Sequence, residues 1–117
     1  MGASSDAATV AAAIRSFRFR YGDEDQLQEG LAEALSGAGF EVQREVRLNA
    51  EDRIDLLVDR VGVEVKVAGS TARVARQLAR YAKHDLAGLV LVTNKLRHSP
   101  PELSMPVEVV CLAGASL

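Results

Sequence analysis

At 117 residues and a formal net charge of −2, the chain has room for one domain with a modest core. Its overall charge offers no bulk attraction to nucleic acid, so any such binding must come from a local basic patch. No run nears the ~20 apolar residues of a membrane span and no charged-then-apolar leader opens the chain, so a cytoplasmic protein without membrane contact is expected.

Residues 1–9 are small and polar and read as a frayed end. Residues 10–19 hold an Ala-rich piece, after which Arg15, Arg18 and Arg20 interleave with Phe17, Phe19 and Tyr21, a short helix leading into an extended arm. This N-terminal segment, 1–22, is set apart from a domain spanning 23–117. Asp23 is a good N-cap, and Gln26 three residues on completes a capping-box pattern. Leu27, Leu31, Ala34, Leu35 and Ala38 form one apolar stripe, which Gly37 and Gly39 end. Strands are predicted over 40–48, 53–59 and 61–67. A helix runs from Gly69-Ser70-Thr71 to about Lys83, followed by a strand over 89–93. Ser99-Pro100-Pro101-Glu102 breaks the chain and begins a helical turn, before a last strand over 107–112. Cys111, the only cysteine, lies in that strand. It excludes an intrachain disulfide and a cysteine-based zinc site, and reads as a small buried side chain.

The second and third strands carry the chemistry. Val61, Val63, Val65 and Val67 alternate with Gly62, Glu64 and Lys66, while Ile54, Leu56 and Val58 alternate with Asp55 and Leu57; period two means strands with unlike faces. A tight turn at Asp59-Arg60 sets Asp55 opposite Glu64, and cross-strand partners point to the same side. Two carboxylates and the Lys66 amine are then gathered on one small area. That is a donor set able to hold a divalent cation and activate water against a phosphodiester. Charges in mid-strand among valines are costly unless paired or metal-bound. In the next helix, Arg73, Arg76, Arg80 and Lys83 fall within an arc of roughly 80° at ~100° per residue, opposite Val74, Ala75, Leu78 and Ala82, with Gln77 and Tyr81 on the border. A basic stripe beside an apolar face suits a phosphate backbone, although most such stripes are merely solvated faces.

On these residues the chain resembles the PD-(D/E)XK nuclease superfamily, in its RecB-like branch. Asp55 stands for the acidic residue of the second strand, Glu64-Val65-Lys66 for acidic-x-Lys on the third, and Gln77-Leu-Ala-Arg-Tyr81 for Gln-x-x-x-Tyr on the following helix. The proline of the family's name is missing, Ile54 standing before Asp55. The resemblance implies an α/β fold with a restriction-endonuclease-like αβββαβ core, a central mixed sheet flanked by helices. It implies a metal-dependent nuclease, acting on DNA ahead of RNA. Asp55, Glu64 and the Val65 carbonyl would hold Mg²⁺ (or Mn²⁺), and Lys66 would orient or deprotonate the attacking water or meet charge on the phosphoryl oxygens. Gln77 and Tyr81 would buttress the site and touch nucleic acid, and Arg73, Arg76 and Arg80 would grip its backbone. An additional acidic ligand on the first helix is expected at Glu24, which shares the arc of Leu27, Leu31 and Leu35; Glu29 and Glu33 point away, and Glu45 is a second choice. A homodimer through the apolar strand 107–112 would double the footprint. The rival readings are a non-cleaving nucleic-acid-binding or assembly module of the same fold, and a plain structural domain with its carboxylates paired to Arg44, Arg47 or Arg53.

Overall fold

A computed structural model describes residues 5–67, 70–94 and 102–112. The helices are α1 (Ala7–Arg15), α2 (Glu24–Gly37) and α3 (Thr71–Tyr81); the strands are β1 (Val42–Arg47), β2 (Arg53–Val58), β3 (Val61–Lys66), β4 (Gly88–Thr93) and β5 (Val107–Cys111). The predicted break at 99–101 lies outside the described residues. Among the described residues, no helix is long and apolar enough to cross a membrane.

Each helix starts where side-chain chemistry allows it. Asp6 caps α1 by accepting from the Thr9 N–H at 2.8 Å, so this helix begins three residues before the predicted stretch. Asp23 accepts from the Gln26 N–H at 2.8 Å. Gln26 in turn takes the Gly22 N–H, one residue earlier than a capping box requires. Ser70 caps α3 through the Arg73 N–H. The C-terminus of α2 closes in a Schellman arrangement, Gly39 at φ 101° and the Phe40 N–H reaching the Leu35 carbonyl at 3.1 Å.

The five strands lie in one mixed sheet in sequence order. β1, β2 and β3 form an antiparallel meander; β3, β4 and β5 run parallel, with α3 as the crossover between β3 and β4. Helices cover both faces. On one, α1 and α2 press Val10, Ile14, Leu27, Leu31 and Leu35 against Leu56, Val63, Val65, Val90 and Val92. α1 thus shares one core with the rest of the chain. On the other, Val74, Leu78 and Tyr81 of α3 cover Ile54, Leu89 and Leu91. Full burial of each such side chain is worth about 1.5–3 kcal/mol.

The predicted register holds: Leu56 pairs with Val63, Leu57 with Gly62 and Val58 with Val61. Asp59 accommodates the turn at φ 53°, a conformation Asp tolerates better than most residues. Its carboxylate is tied to the Ser5 hydroxyl at 2.6 Å and the Glu41 N–H at 3.1 Å. One expectation fails. Ile54 does not share a face with Leu56 and Val58 but packs under α3, joined by Val46 and Leu48. Glu45 has φ 52°, and this bends β1 between Arg44 and Val46, the residues that pair with Leu56 and Ile54. The far half of the β1–β2 hairpin is thereby turned onto the α3 face.

Gly62 lies in that layer because nothing larger fits. A Cβ there would collide with Ile54 Cδ1 and meet Leu89 Cδ2 at 3.0 Å. Gly62→Ala is therefore expected to cost about 1–3 kcal/mol through overpacking. Urea denaturation should show this as a lower midpoint at unchanged slope.

Cys111 is exposed, contrary to the buried position expected for it. It sits on β5, the last strand of the sheet, where alternation gives one side chain in two no covering layer. Arg15 of α1 reaches this strand, donating to the Val109 carbonyl at 2.9 Å and lying 3.7 Å from Glu108, which puts a charge over a sheet edge.

Candidate active site

Backbone pairing between β2 and β3 stops at Leu56–Val63, and side chains continue it. The Val65 N–H donates to Asp55 Oδ2 at 2.8 Å, and the Asp55 N–H points to Glu64 Oε1 at 3.4 Å. Lys66 Nζ stands 3.5 Å from Glu64 Oε2. From α2, Glu24 Oε1 accepts from the Val67 N–H at 2.8 Å, so the first helical turn is pinned to the end of β3. Asp55, Glu64, Lys66 and Glu24 thus meet at one end of the sheet. β3 and β4 run parallel here, so both strands bring their C-terminal ends to this side. Thr93, wholly buried, sits beside Lys66 in the register.

The electrostatics are unfavourable to the two carboxylates as they stand. Glu64 is only 2% exposed; burial, then the charge of Asp55, pushes its carboxyl from 4.5 up to about 8, against the pull of Lys66. Burial also raises Asp55, with Glu24 adding to the effect, while the Val65 N–H and Lys66 oppose it. Negative charge is in excess here, and one cation, Lys66, faces it among the described residues.

No three His, Cys, Asp or Glu side chains among the described residues form a group able to grip a metal ion by themselves. Mg²⁺ does not require one: it keeps several waters and binds through one or two carboxylates plus substrate phosphates. Asp55 and Glu64 fit that pattern, since a divalent ion would offset the burial that raises both and the neighbouring charges that add to it, Glu24 on Asp55 and Asp55 on Glu64.

Gln77 and Tyr81 lie one helical turn apart and are linked: Gln77 Nε2 donates to the Tyr81 hydroxyl at 2.7 Å, which donates to the Arg53 carbonyl at 3.0 Å. Tyr81 is 1% exposed, and its hydroxyl is raised by burial and by the charges of Glu64 and Asp55. It braces β2 two residues before Asp55, with almost no surface to offer a ligand. Arg73, Arg76 and Arg80 are exposed along α3. Glu45 is not drawn to the pair but stands 3.5 Å from Arg53, and Glu29 and Glu33 are exposed on α2.

One cluster has no counterpart in the sequence analysis. Asp52, 6% exposed, holds Arg80 Nε at 3.0 Å and lies 3.2 Å from His84 Nε2; Arg80 and His84 keep its carboxyl below the usual range. Separations of 28 and 32 residues leave no spacing signal that could have revealed it.

The chain matches no protein-family model, no curated protein and no solved structure.

Proposed function

We propose that the protein is a metal-dependent nuclease of restriction-endonuclease-like fold, hydrolysing phosphodiester bonds of nucleic acid, DNA ahead of RNA. The observation that carries this reading is the buried Asp55–Glu64 pair, both carboxyls raised first by burial, beside Lys66 where the β2–β3 ladder ends. The order α2-β1-β2-β3-α3-β4 agrees with the αβββαβ core of the PD-(D/E)XK superfamily.

Asp55 and Glu64, with the Val65 carbonyl as a further donor, would hold Mg²⁺ or Mn²⁺, while Glu24 stays bonded to the Val67 N–H. When bound, the ion polarises the phosphate and lowers the pKa of a coordinated water. Lys66 orients the attacking water or meets the charge that grows on the phosphoryl oxygens. Tyr81, tied to Gln77 and the Arg53 carbonyl, keeps β2 in position and Asp55 with it. Arg73 and Arg76, exposed and without an ion pair among the described residues, hold the backbone, so binding weakens with salt. A second copy along β5 would extend that footprint.

That no three-ligand group forms among the described residues favours one alternative, a non-cleaving nucleic-acid-binding or assembly module of the same fold. A labelled panel of single-stranded, duplex, flapped and four-way DNA, plus RNA, incubated with Mg²⁺ or Mn²⁺, separates the two. Metal-dependent cutting of any substrate is the expected result; binding without cutting under every metal supports the inert module.

A further inference from the structure

A second polar cleft opens on the α3 side of the β1–β2 connection. It encloses about 330 Å³ and brings together Arg47, Arg53 and Arg80, with Glu51, Asp52 and Tyr81. Three arginines from three elements therefore border one small space.

Asp52 organises it. The Asn49 side chain receives its N–H at 2.7 Å, so the turn fixes where the carboxylate points. That carboxylate is used up by Arg80 Nε and His84. Gripping Arg80 through Nε sets the plane of its guanidinium, and among the described residues its two terminal nitrogens have no partner. Arg47 and Arg53 are held lightly, one by the Ala50 carbonyl at 3.2 Å and the other by exposed Glu45 at 3.5 Å. Such groups can turn to a better acceptor. Planar forks with spare donors suit a phosphate, which can accept two parallel bonds from each. Glu51 is exposed and is the one carboxylate of the cleft left to oppose an anion.

The cleft adjoins the carboxylate pair. Arg53 precedes Asp55 by two residues, about 7 Å along an extended strand. Tyr81 borders the cleft, bonds the Arg53 carbonyl and feels the charge of Glu64. A polynucleotide with one phosphate at Asp55 and Glu64 brings a neighbouring phosphate to Arg53.

We infer that the Arg47–Arg53–Arg80 cleft is a phosphate subsite, taking a phosphodiester that flanks the one at the carboxylate pair and setting the path of the strand across the β1–β2 connection. The inference rests on the nuclease reading for its second phosphate, but its test needs no chemistry.

Labelled oligonucleotides of two, four and eight nucleotides are titrated with the full chain by fluorescence anisotropy, in EDTA and again with Ca²⁺, over a range of salt. The variants are Arg80→Gln and the double Arg47→Gln/Arg53→Gln; the double keeps the Asp52 cluster and guards against loss of fold, which thermal melting checks. The double variant is expected to bind the eight-nucleotide probe at least about tenfold more weakly, with a salt slope shallower by about 1–2, as loss of one or two phosphate contacts requires. Unchanged affinity and slope in a folded double variant overturn the subsite, even if the wild type cuts. Inorganic phosphate displacing the probe as well as a competing oligonucleotide does also overturns it, since the cleft would then take free phosphate and not a strand. A shallower slope in a protein that cuts nothing leaves the subsite standing and removes the nuclease reading alone.

Discussion

Lys66→Ala is expected to lower metal-dependent cleavage by at least about a hundredfold, the usual loss when a group stabilising developing charge is removed, while metal binding survives. Lys66 ends β3 with its side chain 26% exposed, and its amine lies 3.5 Å from a carboxylate that is 2% exposed. In the metal-free protein it is the cation opposing the Asp55–Glu64 pair. On the nuclease reading, a divalent ion held there would take over that duty and leave the amine to face phosphate and water. Its loss should therefore spare the metal constant, or tighten it, because a competing positive charge is gone. Single-turnover cleavage measured across a Mg²⁺ titration reads the two effects separately. Lys66→Arg, which keeps the charge but replaces a compact donor by a planar fork, should recover only part of the rate. Cleavage at the wild-type rate by a folded Lys66→Ala protein would reduce the residue to an ion-pair partner. A parallel loss of metal affinity and rate would make it structural.

How far the site can be read from the sequence depends on which physical rule places each residue. The β2–β3 register follows from a two-residue turn, because position pairs then sum to a constant; Leu56–Val63 extends to Asp55 and Glu64 without further information. Glu24 follows from helical geometry, since a residue in the arc of Leu27, Leu31 and Leu35 must face the sheet, and it reaches the Val67 N–H. The facing of Ile54 does not follow. Alternation assumes a strand that keeps its twist, and the positive φ of Glu45, an ordinary polar residue, carries no mark in the sequence. Cys111 was misplaced for a related reason: an apolar run shows that a strand exists, not that it lies at the sheet's edge. The Asp52–Arg80–His84 cluster joins a turn to a helix end purely through tertiary packing, beyond the reach of any local pattern.

Glu64→Gln is expected to make the metal-free protein more stable at pH 8 while abolishing both its cleavage and its stabilisation by Mg²⁺ or Mn²⁺. Burial and the neighbouring charge of Asp55 raise the Glu64 carboxyl from 4.5 to about 8. A group raised in the folded state holds its proton there after the unfolded chain has released it. Its contribution to stability is fully present below 4.5 and is lost as pH climbs through about 8. Wild-type stability should fall across that window and then level off, whereas the glutamine variant, with no proton to release at this position, should show a flatter profile. Removing a buried, repelled charge should gain about 1–3 kcal/mol at pH 8, several degrees of melting temperature for a domain of this size. Added divalent ion should reverse the order, raising the wild type and leaving the variant where it was. A residue retained for its ion pair with Lys66 predicts the opposite: the variant would melt lower at every pH, with or without metal. Melting curves from pH 4 to 9, with EDTA and with Mg²⁺, therefore distinguish a carboxylate that strains the fold in order to hold an ion from one that merely holds the fold together.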